Sequence, residues 1–168
     1  MNKIAPQGPE EVVLVTSRSE GKDNIIPVTW FKRVNYDPEI YMISIGKKRE
    51  TRNMINKSRA FCLNFMDAKW SFETLFCGRV SIRDLDKFSK LLLDKGETEI
   101  IDCPHIKQAD TFRKCKVINT LEYEDHTLFL GEVVEDTDKE IKIIDSPKAM
   151  ARNYHTGLNR LQIVRKED

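Results

Sequence analysis

Strict alternation is clearest at residues 41–45, where Tyr41, Ile43 and Ile45 are separated by Met42 and Ser44. This period-two spacing predicts a strand with one face in the core, and it turns Ser44 away from its large apolar neighbours or toward a ligand. Short apolar runs of similar character recur at 12–16, 25–31, 60–66, 117–121, 127–134 and 140–144. Ser19, Glu20, Gly21, Lys22 and Asp23 supply the first turn, and Asn35, Asp37 and Pro38 the next. About seven short strands with turn signals between them predict a mainly β chain closed, or nearly closed, into a barrel.

Helical spacing interrupts this pattern in three places. Residues 84–95 read as the longest helix, with Leu85, Phe88, Leu91 and Leu92 on one face, and Asp86, Lys87, Lys90 and Asp94 away from it. Gly96 is placed as its C-terminal stop. Residues 51–57 predict two turns with Thr51 as N-cap, and residues 69–76 a third helix. The first ten and last four residues read as loose tails.

A length of 168 residues suits one domain, taken as 1–168 with a core at about 12–144 and a C-terminal extension at 145–168. Lysine plus arginine number 28 against 27 acidic residues, so there is no general pull toward nucleic acid or membrane. No apolar run reaches spanning length and the N-terminus lacks a secretory segment, which predicts a soluble, cytoplasmic protein. Cys62, Cys77, Cys103 and Cys115 contain no C-x-x-C pair and read as reduced, mostly buried thiols. Cys103-Pro104-His105 lacks a second ligand pair at a convincing spacing, so no metal is expected.

The chain has seven glycines and neither G-x-G-x-x-G nor a P-loop, and no H-E-x-x-H or G-x-S-x-G. With no conspicuous nucleophile or ligand cluster, an organic cofactor that carries the reaction is the economical reading. Residues 24–51 are its candidate site. Two β-type stretches present small polar groups at their ends, and a basic loop delivers Arg49 and Thr51 together at a helix start. Such a helix start favours an anion, so the region suits a planar heterocycle with a phosphate tail, the shape of a flavin nucleotide. Thr51 is equally an ordinary N-cap, and Lys47 reads as a solvated loop residue. His126 can donate or orient a proton near neutral pH, or can simply bond a turn carbonyl.

Four segments carry a resemblance. Asn24 to Trp30 resembles the pattern N-x-x-x-[VP]-[ST]-W, and Ser44-Ile45-Gly46 through Arg49-Glu50-Thr51 resembles S-I-x-x-x-R-x-T. Phe76-Cys77-Gly78 with Arg83-Asp84-Leu85-Asp86-Lys87-Phe88 resembles F-C-G…S-G-R-D-x-D-K-F, and Asp125 to Val134 resembles G-D-H-T-L-F-x-G-E-V. Together they resemble the flavin reductase-like family of FMN-binding split barrels, which includes flavoredoxin-type and ferric reductase proteins. Two positions depart from it. Ile82 and Glu124 stand where the patterns have Gly, and the first bears on any contact at Ser81.

The resemblance implies noncovalent FMN in a split barrel, at the interface of a homodimer. Asn24 belongs to the cofactor-binding strand, Val28, Thr29 and Trp30 would line one side of the flavin ring, and Ser44, Ile45 and Gly46 the other. Trp30 is equally a core or dimer-interface aromatic. Arg49 and Thr51 would take the phosphate, with Lys87 as a further candidate, and His126 is the catalytic candidate. NAD(P)H is the implied donor, and free flavin, a ferric chelate or a redox protein the acceptor. The alternatives are an FMN electron carrier reduced by a partner protein and a small barrel for single-stranded nucleic acid; balanced charge and few exposed-type aromatics argue against the latter.

Overall fold

One antiparallel sheet carries the architecture of this computed structural model, which describes residues 10–83, 85–97, 99–137, 152–155 and 161–164. In chain order the elements are β1 (Glu10–Glu11), β2 (Val13–Ser19), β3 (Lys22–Val28), β4 (Phe31–Asn35), β5 (Ile40–Gly46), α1 (Glu50–Ser58) and β6 (Ala60–Phe65). A 3-10 turn (Ala68–Trp70), α2 (Ser71–Arg79), α3 (Lys87–Leu91), β7 (Lys95–Gly96) and β8 (His105–Ile106) follow. The long strands β9 (Thr111–Glu122) and β10 (His126–Asp136) precede β11 (Arg152–His155) and β12 (Leu161–Val164). Seven strands pair in the order β3-β2-β6-β9-β10-β5-β4, while β1, β11 and β12 form a small second sheet and β7 pairs with β8.

The large sheet curls because its inner residues share one core. Val13, Val15, Val28, Tyr41, Ile43, Ile45, Phe61, Leu63, Cys115, Val117 and Phe129 form a single buried cluster with Ile55 of α1. Six of the seven strands thus contribute to one interior, and the sheet is an open half-barrel rather than a closed one. Gly131 permits the closest approach inside it. A Cβ there would lie 2.6 Å from the Phe61 ring and 2.7 Å from Cys115 Cβ, and the β9–β10 register slips between Leu130 and Gly131. On the other face, Leu14 and Ile25 pack with Cys77, Phe88, Leu93 and Ile106 under α2 and α3. Strand β2 is therefore covered on both sides, which is why it reads as a continuous apolar run.

Six of the seven expected strands are present, with β9 and β10 longer than their apolar runs, and residues 140–144 lie outside the described residues. The run 25–31 is not one strand. β3 ends at Val28, and Phe31 opens β4, which pairs with β5 across residues that read as turn. The helix expected at 84–95 is only Lys87–Leu91. Asp86 Oδ1 accepts from the amides of Phe88 (3.0 Å) and Ser89 (3.4 Å), and Leu92 leaves the helix in the left-handed region at φ 53°. Its faces are also different from those expected: Leu92 is 84% exposed and Lys87 is buried, while Gly96 sits in β7 instead of capping a helix. A periodicity argument cannot foresee a buried lysine whose ammonium is satisfied by backbone carbonyls from other elements. All four cysteines are free and buried. Among the described residues no helix is long and apolar enough to cross a membrane.

Candidate functional site

Antiparallel register brings the strand-end residues together. Gly46, at the end of β5, stands opposite His126, the first residue of β10, and Ser44 N donates to Trp30 O at 2.9 Å. Alternation in β5 buries Tyr41, Ile43 and Ile45 and leaves Ser44 on the open face, as its spacing predicts. The result is a groove of about 220 Å³ lined by Pro27, Thr29, Trp30, Ser44, Gly46 and His126, with Ile26 and Arg49 at one end. The side chains of Val28 and Ile45 point into the core, so these two residues can serve the groove only through their backbone. Trp30 is 47% exposed, which removes it from the core of the protomer. Its ring lies 4.9 Å from the His126 ring, centroid to centroid, at 39°.

His126 Nδ1 lies 2.9 Å from Asp125 Oδ1, and this bond holds the Asp125 carboxyl below its ordinary range. A neutral imidazole bonded in this way keeps its proton on Nδ1, so Nε2 is left as an acceptor on the Gly46 side. A Cβ at Gly46 would meet Nε2 at 3.6 Å. His126 therefore bonds an aspartate rather than the turn carbonyl considered from sequence.

Ile26 and Arg49 also line a second space, of about 210 Å³, bounded by β3, the start of α1, the end of α2 and α3. Its cations are Lys48, Arg49, Arg79, Arg83 and Lys87, and the sole carboxylate among its lining residues is Glu50. Glu50 is already engaged, because Arg83 Nη2 donates to its Oε2 at 2.6 Å and holds that carboxyl below its usual range. The first turn of α1 opens on this cleft. Its N-cap is Arg49, in an extended conformation and without a side-chain bond to the helix. The expectation that Thr51 caps the helix is thus corrected. Thr51 lies inside the first turn, is 1% exposed, and its Oγ1 accepts from Asn24 Nδ2 at 2.8 Å.

Two buried groups show what the cleft can hold. Asn24 Oδ1 is buried and has no hydrogen-bond partner. A ligand hydroxyl satisfies it as it stands; with the amide turned over, Oδ1 takes the Thr51 hydroxyl and Nδ2 is offered to an anion. Lys87 Nζ donates to Ile25 O at 2.6 Å and Cys77 O at 2.9 Å, tying β3 to α2. Burial pushes the Lys87 ammonium below the ordinary lysine range, and burial likewise pushes the Cys77 thiol up to about 12. An ammonium held this way answers a nearby anion without a competing side-chain carboxylate. Polyol hydroxyls and a terminal phosphate therefore fit the donors and acceptors present, and an uncharged planar ring fits the adjoining groove.

All the cofactor-binding and catalytic candidates read from sequence fall on these two adjoining spaces or directly behind them. Lys47 does not, since its Nζ lies 3.3 Å from Glu122 Oε2, outside the cleft. Ser81 lines the cleft beside Ile82, and its Oγ accepts from Arg83 N at 3.2 Å. Sequence reasoning passed over Arg79 and Ile26. Arg79 directly follows the Phe76-Cys77-Gly78 segment, and its position beside a quoted motif was the available signal.

Known proteins reproduce the fold. The model of the flavin reductase like domain matches residues 7–144. The chain is similar in structure to flavoredoxin from Methanosarcina acetivorans, with a TM-score of 0.85 and 26% identity over 100% of this chain and 92% of that one. It shares its fold with an FMN-binding protein from Thermus thermophilus, with a TM-score of 0.82 and 23% identity over 100% of this chain and 98% of that one. In sequence it is 29% identical over 124 residues to a ferric-chelate reductase (NAD(P)H) from Archaeoglobus fulgidus, covering 73% of this chain and 72% of the relative. The family match spans most of the chain: this protein belongs to the flavin reductase-like family.

Proposed function

We propose that the protein is an FMN-dependent oxidoreductase that accepts electrons from NAD(P)H and passes them to free flavin, a ferric chelate or a redox protein. The observation that carries this reading is an uncharged, aromatic-rimmed groove set directly against a cation-lined cleft, with Ile26 and Arg49 lining both. The flavoredoxin, FMN-binding protein and ferric-chelate reductase among its relatives support it.

In this reading Arg49, Lys87 and the first turn of α1 hold the phosphate, while Asn24 and Thr51 take hydroxyls of the ribityl chain. Thr29, Ser44 and the backbone at Val28, Ile45 and Gly46 present fixed dipoles along the ring, and Trp30 covers one edge of the groove. FMN bound there would supply reversible two-electron transfer. His126, fixed by Asp125, places Nε2 at the ring end, where it orients a polar edge or holds a proton. A homodimer belongs to the same proposal. Tyr36 beside β4, and Ile118, Leu121 and Tyr123 on the β9–β10 hairpin, leave apolar surface exposed, and chromatographic mass measurement tests whether a second copy covers it.

The decisive experiment is anaerobic stopped-flow mixing of the FMN-loaded protein with NADH and with NADPH. Loss of the oxidised flavin absorbance with either donor is expected. If neither nicotinamide bleaches the flavin but a reduced redox protein does, the protein is an electron carrier and the enzymatic reading is wrong.

A further inference from the structure

A further space adjoins the cationic cleft. It is a cavity of about 160 Å³ whose walls include Ser19, Lys22, Asn53 and Lys57. Glu50, Ile82 and Arg83 line both spaces, so these three residues form their common boundary. The ion pair between Arg83 Nη2 and Glu50 Oε2, 2.6 Å long, spans this boundary, and Ile82 adds a half-buried, branched apolar wall.

A ligand's chemistry at the phosphate decides what such a boundary does. A phosphomonoester ends there, its charge concentrated among Lys48, Arg49, Arg79 and Lys87 at the start of α1. A flavin dinucleotide has the same ring and ribityl chain, but its phosphate is esterified again and the chain must go on. The adjoining continuation runs past Ile82, which offers a charged diphosphate no hydrogen bond in exchange for its water. It also displaces Arg83 from Glu50, which leaves a carboxylate facing the phosphates.

We propose that Ile82, backed by the Glu50–Arg83 pair, is the specificity-determining barrier that makes this a mononucleotide site, selecting FMN over FAD. The inference rests on the reading of the groove as a flavin site. Most of the selection falls on Ile82, because an ion pair with Arg83 69% exposed opens at little cost. Once the wall is removed, the second half of a dinucleotide meets Ser19, Lys22, Asn53, Met54 and the Lys57–Glu20 ion pair, so the cavity beyond offers polar partners without a strong charge of either sign.

The test is calorimetric titration of the full chain, in native form and as Ile82→Gly, Ile82→Ala and Glu50→Gln, with FMN and with FAD. The native protein is expected to bind FMN at least about tenfold more tightly than FAD. Ile82→Gly should narrow that ratio to about threefold or less, chiefly by tightening FAD, with Ile82→Ala partway and Glu50→Gln moving it less. Ile82→Ala keeps a folded variant in hand should the glycine unfold this segment. Equal native affinities, or a ratio that neither Ile82 variant moves, overturn the barrier while leaving the FMN site standing. A native chain that binds neither flavin overturns the functional reading and this inference together.

Discussion

The two ends of the groove are built in different ways. At the ring end, Thr29, Ser44 and Gly46 come from strand ends, and Trp30 and His126 rim them. Their positions follow from the β4–β5 and β5–β10 registers, and the core residues Val28 and Ile45 anchor the backbone beneath. At the phosphate end, Asn24, Thr51, Arg79 and Lys87 come from β3, α1, α2 and α3, and the cleft exists only where these four elements meet. In the proposed reading one end selects by shape and fixed dipoles and the other by charge, so changes at the two ends should separate when FMN is compared with riboflavin, which lacks the phosphate.

The largest separation is expected from Arg49→Gln. Losing a charged hydrogen bond worth about 1.5–3 kcal/mol should weaken FMN by roughly 10-fold to 100-fold, with riboflavin changed far less in parallel titrations. Equal losses for both ligands would mean that the phosphate does not sit in the cleft. Gly46→Ala is the converse probe. Its Cβ meets His126 Nε2 at an ordinary 3.6 Å, so the fold should be kept while ring space is lost. FMN and riboflavin should then weaken together, by about tenfold. His126→Ala should slow turnover with a nicotinamide by on the order of tenfold and leave the protein yellow. A folded variant that purifies without flavin would move His126 from reaction to binding.

Thr51→Val removes the acceptor of the Asn24 Nδ2 bond and leaves a buried donor unpaired. Urea unfolding of the unliganded protein should show a loss of about 1–3 kcal/mol, whereas no change would mean that the amide finds another partner. The smallest effect is the alkaline pH dependence. Burial holds Lys87 below its ordinary 10.5, and the neighbouring Arg49 charge adds to the shift. Between the native value and 10.5 the unfolded chain binds more protons, so the stability of the unliganded protein should rise with pH across that window. A bound phosphate raises the lysine again, so FMN affinity should fall as pH climbs through the unliganded value. Riboflavin should lack that component, and Lys87→Met should abolish it for FMN.

The same contrast explains what the sequence could reveal. Alternation at Tyr41, Ile43 and Ile45 located β5 and turned Ser44 outward, because period two is a local property of an extended chain. The split at Thr29 and Trp30 was hidden: 25–31 is apolar but for Thr29, and only the pairing of Phe31 with Ile43 shows that β4 is a separate strand. At the phosphate end, Arg49 and Thr51 stood out as a pair, but the cap assignment failed because Asn24, 27 residues earlier, takes the threonine hydroxyl instead. Lys87 reads as lying away from the apolar face of a helix and as a further phosphate candidate, and its burial depends on carbonyls supplied by Ile25 and Cys77. Burial of a charge is settled by distant partners, which spacing along one element does not carry.

The most direct measurement of the central claim is a paired calorimetric titration of the flavin-free protein with FMN and riboflavin at neutral pH and low salt. If ring groove and cationic cleft form one site, both ligands bind at one per chain, and FMN binds at least about 100-fold more tightly because the phosphate engages Arg49, Lys87 and the α1 N-terminus. Equal affinities, or binding of neither ligand by the folded protein, would contradict it.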